Sequence, residues 1–187
     1  DRVLKNIIVD KQINLDSLLV GDKNAIVIAA RVSAYGSDYR TAVTCPSCGE
    51  TSKYSFNSQE ANIFEGDPSN PLDVRSTESG TFMVQLPVTG VTVEFKLLTG
   101  IDEKLLTRGI EMDRKSKSGE RNITRQLKAL AISVNGSNNP SDINGFVDNM
   151  PSMDARQLRL AHKLVSPNVD LTQNFACPSC SHEQEME

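Results

Sequence analysis

All four cysteines of this 187-residue chain fall in two copies of one tetrapeptide, Cys45-Pro46-Ser47-Cys48 and Cys177-Pro178-Ser179-Cys180. A Cys-x-x-Cys turn presents two thiolates together, with backbone N–H groups left over to hydrogen-bond the sulfurs. Each motif is therefore the size of one zinc knuckle, and two knuckles supply the four tetrahedral ligands of a closed structural zinc site. Gly49 follows the first motif, where the chain must turn sharply, and glycine makes such a turn at no steric cost. The ligand set Cys45, Cys48, Cys177 and Cys180 leaves no open coordination position. Its expected chemistry is folding, not catalysis. Cys177 lies 129 positions after Cys48, so one ion would draw both ends of the chain together.

Other arrangements compete. A disulfide within either motif would close a small strained ring of the kind used at redox sites. Two long-range disulfides would need an oxidising compartment. The chain opens without an apolar leader, and no run approaches the ~20 apolar residues of a membrane-spanning helix. A reducing compartment favours zinc. His182 stands just after the second motif as a further possible ligand, but four thiolates fill the tetrahedron without it. The chain starts at Asp1 with no methionine and ends on Glu187, so it reads as cut from something longer at both ends.

No other constellation carries chemistry. The sequence has two histidines, and His162 reads as a surface residue on a helix. There is no G-x-S-x-G, Walker loop or H-E-x-x-H. Asp102-Glu103 and the pair Glu111/Asp113 are acidic neighbours, explained by favourable charge at a helix start rather than by acid–base work. An enzyme is not expected. The formal net charge of −4 argues against binding nucleic acid through its phosphates. Arg121, Arg125 and Lys128 share one helix face, which three charges on a solvated surface explain. Substituting Arg121 or His162 is expected to act as a surface change.

These motifs must be positioned by short elements. Residues 3–9, with Ile7, Ile8 and Val9, suit a strand or extended arm. Ala25–Tyr35 is apolar on nearly every side and reads as a buried helix, capped by Asp22 and closed by Gly36, with a buried strand as the competitor. Ser37–Thr44 and Thr51–Phe56 read as strands flanking the first motif, with Tyr39, Thr41 and Val43 on one face and Tyr54 and Phe56 on the other strand. Gly66–Pro71 is loop chemistry. Thr81–Leu86 and Val91–Leu98 alternate as a β-hairpin around Pro87–Gly90.

From Asp102, a plausible cap, the pattern turns helical. Ile123, Leu127, Leu130, Ala131 and Val134 recur at helical spacing. Ser141 should cap a helix with Ile143, Phe146, Val147 and Met150 inward. Ser152 should cap the next, with Ala155, Leu158, Ala161, Leu164 and Val165 inward and Pro167 beyond its end. Tyr35, Tyr39, Phe64 and Phe82 are expected in the core; exposure of any of them would point to a docking face.

The predicted fold class is thus α+β. A zinc-ribbon-like β module is formed by both ends of the chain, with an inserted β-hairpin and a helical segment of about four helices. The expected organisation is residues 1–56 with 167–187 as N-terminal helix plus ribbon, 57–101 as loop and hairpin, and 102–166 as the helical insertion.

Several phrases occur in a telling order: Leu18 to Arg31, then Tyr35-Gly36, Leu86-Pro87-Val88-Thr89-Gly90, Val93 to Lys104, Ser133-Val134-Asn135-Gly136, Asp154 to Arg159, and Phe175-Ala176-Cys177. Over most of its length the chain resembles the baseplate hub and hub-assembly subunit family of T-even-like contractile-tailed bacteriophages. The resemblance implies a non-enzymatic structural subunit of the virion tail baseplate, assembled in the host cytoplasm. Its implied partners are other baseplate and tail proteins, with no nucleic acid, membrane span or small-molecule substrate. The four cysteines carry over as ligands of one structural Zn²⁺. The alternative reading is a zinc-ribbon nucleic-acid-binding or transcription-associated protein.

Overall fold

The computed structural model describes residues 2–67, 69–116 and 122–186. In chain order come α1 (Arg2–Ile7), α2 (Val20–Tyr35), β1 (Asp38–Thr44), β2 (Thr51–Asn57), β3 (Asn62–Phe64), β4 (Arg75–Ser76), β5 (Phe82–Gln85) and β6 (Thr92–Phe95). The helices α3 (Gly100–Ser116) and α4 (Asn122–Leu130) follow, then β7 (Ala131–Val134), α5 (Pro140–Asp148), α6 (Ser152–Val165), β8 (Asn168–Asp170), β9 (Gln173–Ala176) and β10 (Glu183–Met186). Helices and mostly antiparallel strands are mixed, as an α+β class requires. The chain divides into two compact units. One comprises Asp1–Lys11, Gly21–Phe64 and Pro167–Glu187; the other comprises Gln12–Val20 and Glu65–Ser166.

The second unit holds the larger core. Its sheet runs β4-β5-β6-β7. The β5–β6 hairpin falls where alternation placed it, with Val84 opposite Val93 and Phe82 opposite Phe95. Val84, Leu86, Val93 and Phe95 are buried with Leu127 and Leu130 of α4, Ile143 and Val147 of α5, and Leu158 and Ala161 of α6. These are the inward positions that the helical spacing of α5 and α6 names.

Four local expectations differ from the fold. The apolar period that carries α4 does not continue: Ala131–Val134 leaves the helix and pairs with β6 as a strand. Ala131 and Ser133 are buried in alternation, and the Ser133 hydroxyl donates to Glu94 at 3.1 Å. An open sheet edge recruits these four residues more strongly than another turn of helix would. The caps also shift. Asn139, not Ser141, accepts the first free N–H of α5, and Pro151 precedes α6, so Ser152 is its first residue. At α3 the residue before the helix is Thr99, and Asp102 reaches back to accept its N–H at 2.9 Å and its hydroxyl at 2.8 Å, half of a capping box.

The first unit is built from three two-stranded sheets, β1–β2, β9–β10 and β3–β8. The expected strand over residues 3–9 is instead helix α1, anchored by buried Leu4 while Val3, Ile7 and Val9 stay exposed. No neighbouring strand among the described residues rewards an extended form there. Helix α2 is as expected in type and in its closure by Gly36, whose N–H bonds Val32 O at a φ of 83°. It starts earlier than predicted, so Asp22 lies in its first turn and not at its cap. It is also not buried: its apolar residues are half-covered or open, with Val27 at 43% exposure. Gly21 is required where it stands, since a Cβ there would lie 1.9 Å from the Pro167 carbonyl oxygen.

Candidate metal centre

Two hairpins position the cysteines. β1 and β2 pair from Asp38–Asn57 to Thr44–Thr51, and the first Cys-x-x-Cys forms their turn. β9 and β10 pair from Ala176–Glu183 to Gln173–Met186 around the second. The two turns repeat each other bond for bond. Cys45 N–H donates to Glu50 O and Gly49 N–H to Cys45 O, each at 2.9 Å. Cys177 N–H donates to His182 O and Ser181 N–H to Cys177 O, again at 2.9 Å. The residue after the second cysteine is left-handed in both, Gly49 at φ 75° and Ser181 at φ 57°. The sequence pointed to the first of these. Aligning the two tetrapeptides would have revealed the second.

The structure brings all four cysteines together, their sulfurs within 4.8 Å of one another. Cys45 Sγ lies 3.6 Å from Cys180 Sγ, and Cys48 Sγ lies 3.7 Å from Cys177 Sγ. A tetrahedron with Zn–S bonds of about 2.3 Å has edges of about 3.8 Å, so the spacing fits such an ion. Four soft thiolates are also the donor set that suits zinc over hard divalent cations. His182 contributes its backbone carbonyl, and the cluster itself contains no histidine.

Cys45 and Cys177 are buried, whereas Cys48 and Cys180 are exposed. Behind them Phe175 is buried, with Val43, Tyr54 and Met186 packed around it. Tyr54 meets Phe175 edge-on at 5.7 Å, and its hydroxyl donates to Asn174 O at 3.3 Å, joining the two hairpins. The backbone N–H groups of Ser179 and Cys180, with the neighbouring sulfurs, bring the Cys177 thiol down to about 7. At Cys48 a backbone contact to Glu50 pulls the same way. The Cys180 sulfur, burial, and the Cys177 and Cys45 sulfurs outweigh it and push that thiol up to about 12.

The other residues singled out in the sequence have structural partners. Asp102 accepts Lys96 Nζ at 2.8 Å besides Thr99. Arg125 forms a two-pronged pair with Asp113 at 2.8 and 3.0 Å, and Lys128 pairs with Asp148 at 2.7 Å. The basic face is therefore largely neutralised; Arg121 lies outside the described residues. His162 is not a surface residue. It is half-buried, 6.4 Å from the Phe95 ring, with Ser166 Oγ within 3.1 Å of its ring. Of the four aromatics expected in the core, Phe82 stacks on Phe95 and Phe64 is half-buried. Tyr35 is 85% exposed and Tyr39 is 39% exposed.

No helix among the described residues is long and apolar enough to cross a membrane. No curated protein and no solved structure matches the chain. A family model described as T4 bacteriophage base plate protein matches residues 1–187. With that match spanning every residue, the chain belongs to the T4 bacteriophage base plate protein family.

Proposed function

We propose that this chain is a non-enzymatic hub or hub-assembly component of the tail baseplate, whose terminal hairpins are clamped by one structural Zn²⁺ on Cys45, Cys48, Cys177 and Cys180. The observation that supports it is the approach of four sulfurs from opposite ends of a baseplate-family chain to within 4.8 Å. Bound zinc would supply a cross-link and no reaction, because four thiolates leave no position for water or substrate. The protein's own part is to hold the two turns in register and exclude solvent from Cys45 and Cys177.

In this reading the chain is made in the host cytoplasm, where thiols stay reduced, and acts by contacting other baseplate and tail proteins. The neutralised basic residues of α4 favour protein partners over nucleic acid. Two measurements test it. Elemental analysis of the purified chain should give about one zinc per molecule, lost in Cys45→Ser or Cys177→Ser. Mass spectrometry of purified virions should detect the chain if it is a permanent hub part, and only in assembly intermediates if it departs. Metal-free, fully stable protein would refute the clamp.

A further inference from the structure

The unit that carries the cysteines leaves much of its apolar surface unburied, and one part of that surface has a definite shape. Beside the Phe175 cluster lies a groove of about 360 Å³, walled by Ile28 and Arg31 of α2, Tyr39 and Val43 of β1, Phe56 of β2, and Leu171. This volume has room for two or three large side chains of a segment, not for a packed helix about 10 Å across.

Arg31 gives the groove its chemistry. Its guanidinium stacks over the Tyr39 ring at 4.5 Å. Among the described residues its N–H groups donate to neutral oxygens alone, Gly36 O at 3.1 Å and, at 3.4 Å each, Ser58 Oγ and Asp38 O. Among the described residues no carboxylate pairs with it, in a chain whose net charge is −4. A planar cation held against an aromatic ring, with donors left over, is matched by a carboxylate. The third feature is β1 itself. It pairs only with β2, so its outer edge is open among the described residues. An open edge takes an added strand through backbone hydrogen bonds, and alternate side chains of that strand then enter one face.

We infer that this groove receives an extended segment of a partner protein, which adds along the free edge of β1, places alternate apolar side chains in the groove and offers an adjacent Asp or Glu to Arg31. The inference rests on the reading of the chain as a protein-contacting baseplate subunit. The apolar walls supply contact area, and the guanidinium fixes which segment fits and in which register.

The test is a ribosome-displayed library of random nine-residue peptides, selected on the zinc-loaded chain. A synthetic peptide of the resulting consensus is then measured by calorimetry. The consensus should carry apolar residues at alternate positions with an Asp or Glu beside them. Arg31→Gln should weaken its binding by about ten-fold, and Arg31→Lys by less. Thr41→Glu changes an exposed groove-lining position of β1 and should weaken the same peptide by about ten-fold, whereas Thr41→Lys should not. Methylating alternate backbone nitrogens of the peptide should abolish binding.

A selection without consensus, a consensus without acid, or binding indifferent to Arg31→Gln and Thr41→Glu would each overturn the inference. So would self-association by sedimentation that both variants dissolve, because a second copy would then be the occupant. Zinc content is measured on the same samples. Peptide binding without zinc would defeat the clamp and leave the groove standing, and zinc with no peptide binding would do the reverse.

Discussion

Asp154 holds Thr89 from both of its polar groups: the carboxylate accepts the Thr89 N–H at 3.1 Å and the Thr89 hydroxyl at 2.7 Å. It also takes the Val88 N–H at 2.8 Å. Asp154 is fully buried in the first turn of α6, and Val88 and Thr89 form the turn of the β5–β6 hairpin. A carboxylate with three donors is at little disadvantage when buried. Leu86–Gly90 and Asp154–Arg159 are two of the phrases that mark the family resemblance, and this is where they meet.

Asp154→Ala should therefore cost about 2 kcal/mol, because three hydrogen bonds to one buried carboxylate are lost and water at the exposed Val88–Thr89 turn replaces them only in part. Thr89→Val removes one donor and leaves the two backbone bonds, so about 1 kcal/mol is expected. Urea denaturation of both variants against wild type measures the ratio. Equal effects would mean that the side-chain bond alone fastens α6 to the hairpin.

Zinc removal should unfold the cysteine-bearing hairpins, since the buried apolar residues grouped with the clamp are few, Cys45, Phe175 and Cys177. Metal binding free energy is folding free energy here, on the order of 10 kcal/mol for a structural site. Binding must also displace protons, because Cys48 holds its proton up to about 12 and Cys177 releases one near 7. Apparent zinc affinity should rise as pH climbs through about 7. Calorimetry in two buffers of different ionisation enthalpy should show net proton release; none would mean that the thiols are already ionised without metal.

The parts legible in the sequence were those with local and fixed geometry. The two Cys-x-x-Cys turns dictate their own conformation, and the alternation of Phe82, Val84, Val93 and Phe95 admits one hairpin register. Parts decided by distant partners were not legible. Ala131–Val134 matches a helix in spacing, and the edge of β6 makes it a strand. β3 and β8 are three residues each and exist because they pair with one another. The apolar run of α2 signals burial, yet its own unit leaves that helix half-open. His162 lies 6.4 Å from the ring of Phe95, a residue far away in sequence.

His162 makes stability depend on pH. Burial pushes it down from an ordinary 6.5 to about 4. The folded chain then keeps His162 neutral while the unfolded chain takes up a proton. The folded state accordingly loses stability as pH falls from about 6.5 towards about 4, by on the order of 3 kcal/mol in total. His162→Gln should remove this component. Any metal held by the cysteines would leave both proteins in acid, so the informative quantity is the difference between them: denaturation midpoints should converge or cross between pH 7 and pH 4.5. A difference independent of pH would return His162 to the role of an exposed residue.

Ser181 occupies the left-handed position that Gly49 fills in the other turn. A side chain there costs about 1–2 kcal/mol, and glycine in its place adds about 0.5–1 kcal/mol of unfolded-chain entropy to be lost. Ser181→Gly should therefore stabilise the zinc-bound chain by up to about 1 kcal/mol. Ser181→Val should destabilise it, since a β-branched residue is least suited to positive φ. Because the strained turn must form for Cys177 and Cys180 to converge, the gain should appear in the metal-binding step. Competition with a chromophoric chelator should show tighter zinc binding for Ser181→Gly than for wild type, and weaker binding for Ser181→Val. The reverse substitution at the matching position, Gly49→Ser, should weaken binding by a similar factor, because the two turns share one geometry. If Ser181→Gly left affinity unchanged while Gly49→Ser reduced it, the two knuckles would not be equivalent, and the second would owe its shape to β9–β10 pairing instead of to the turn itself.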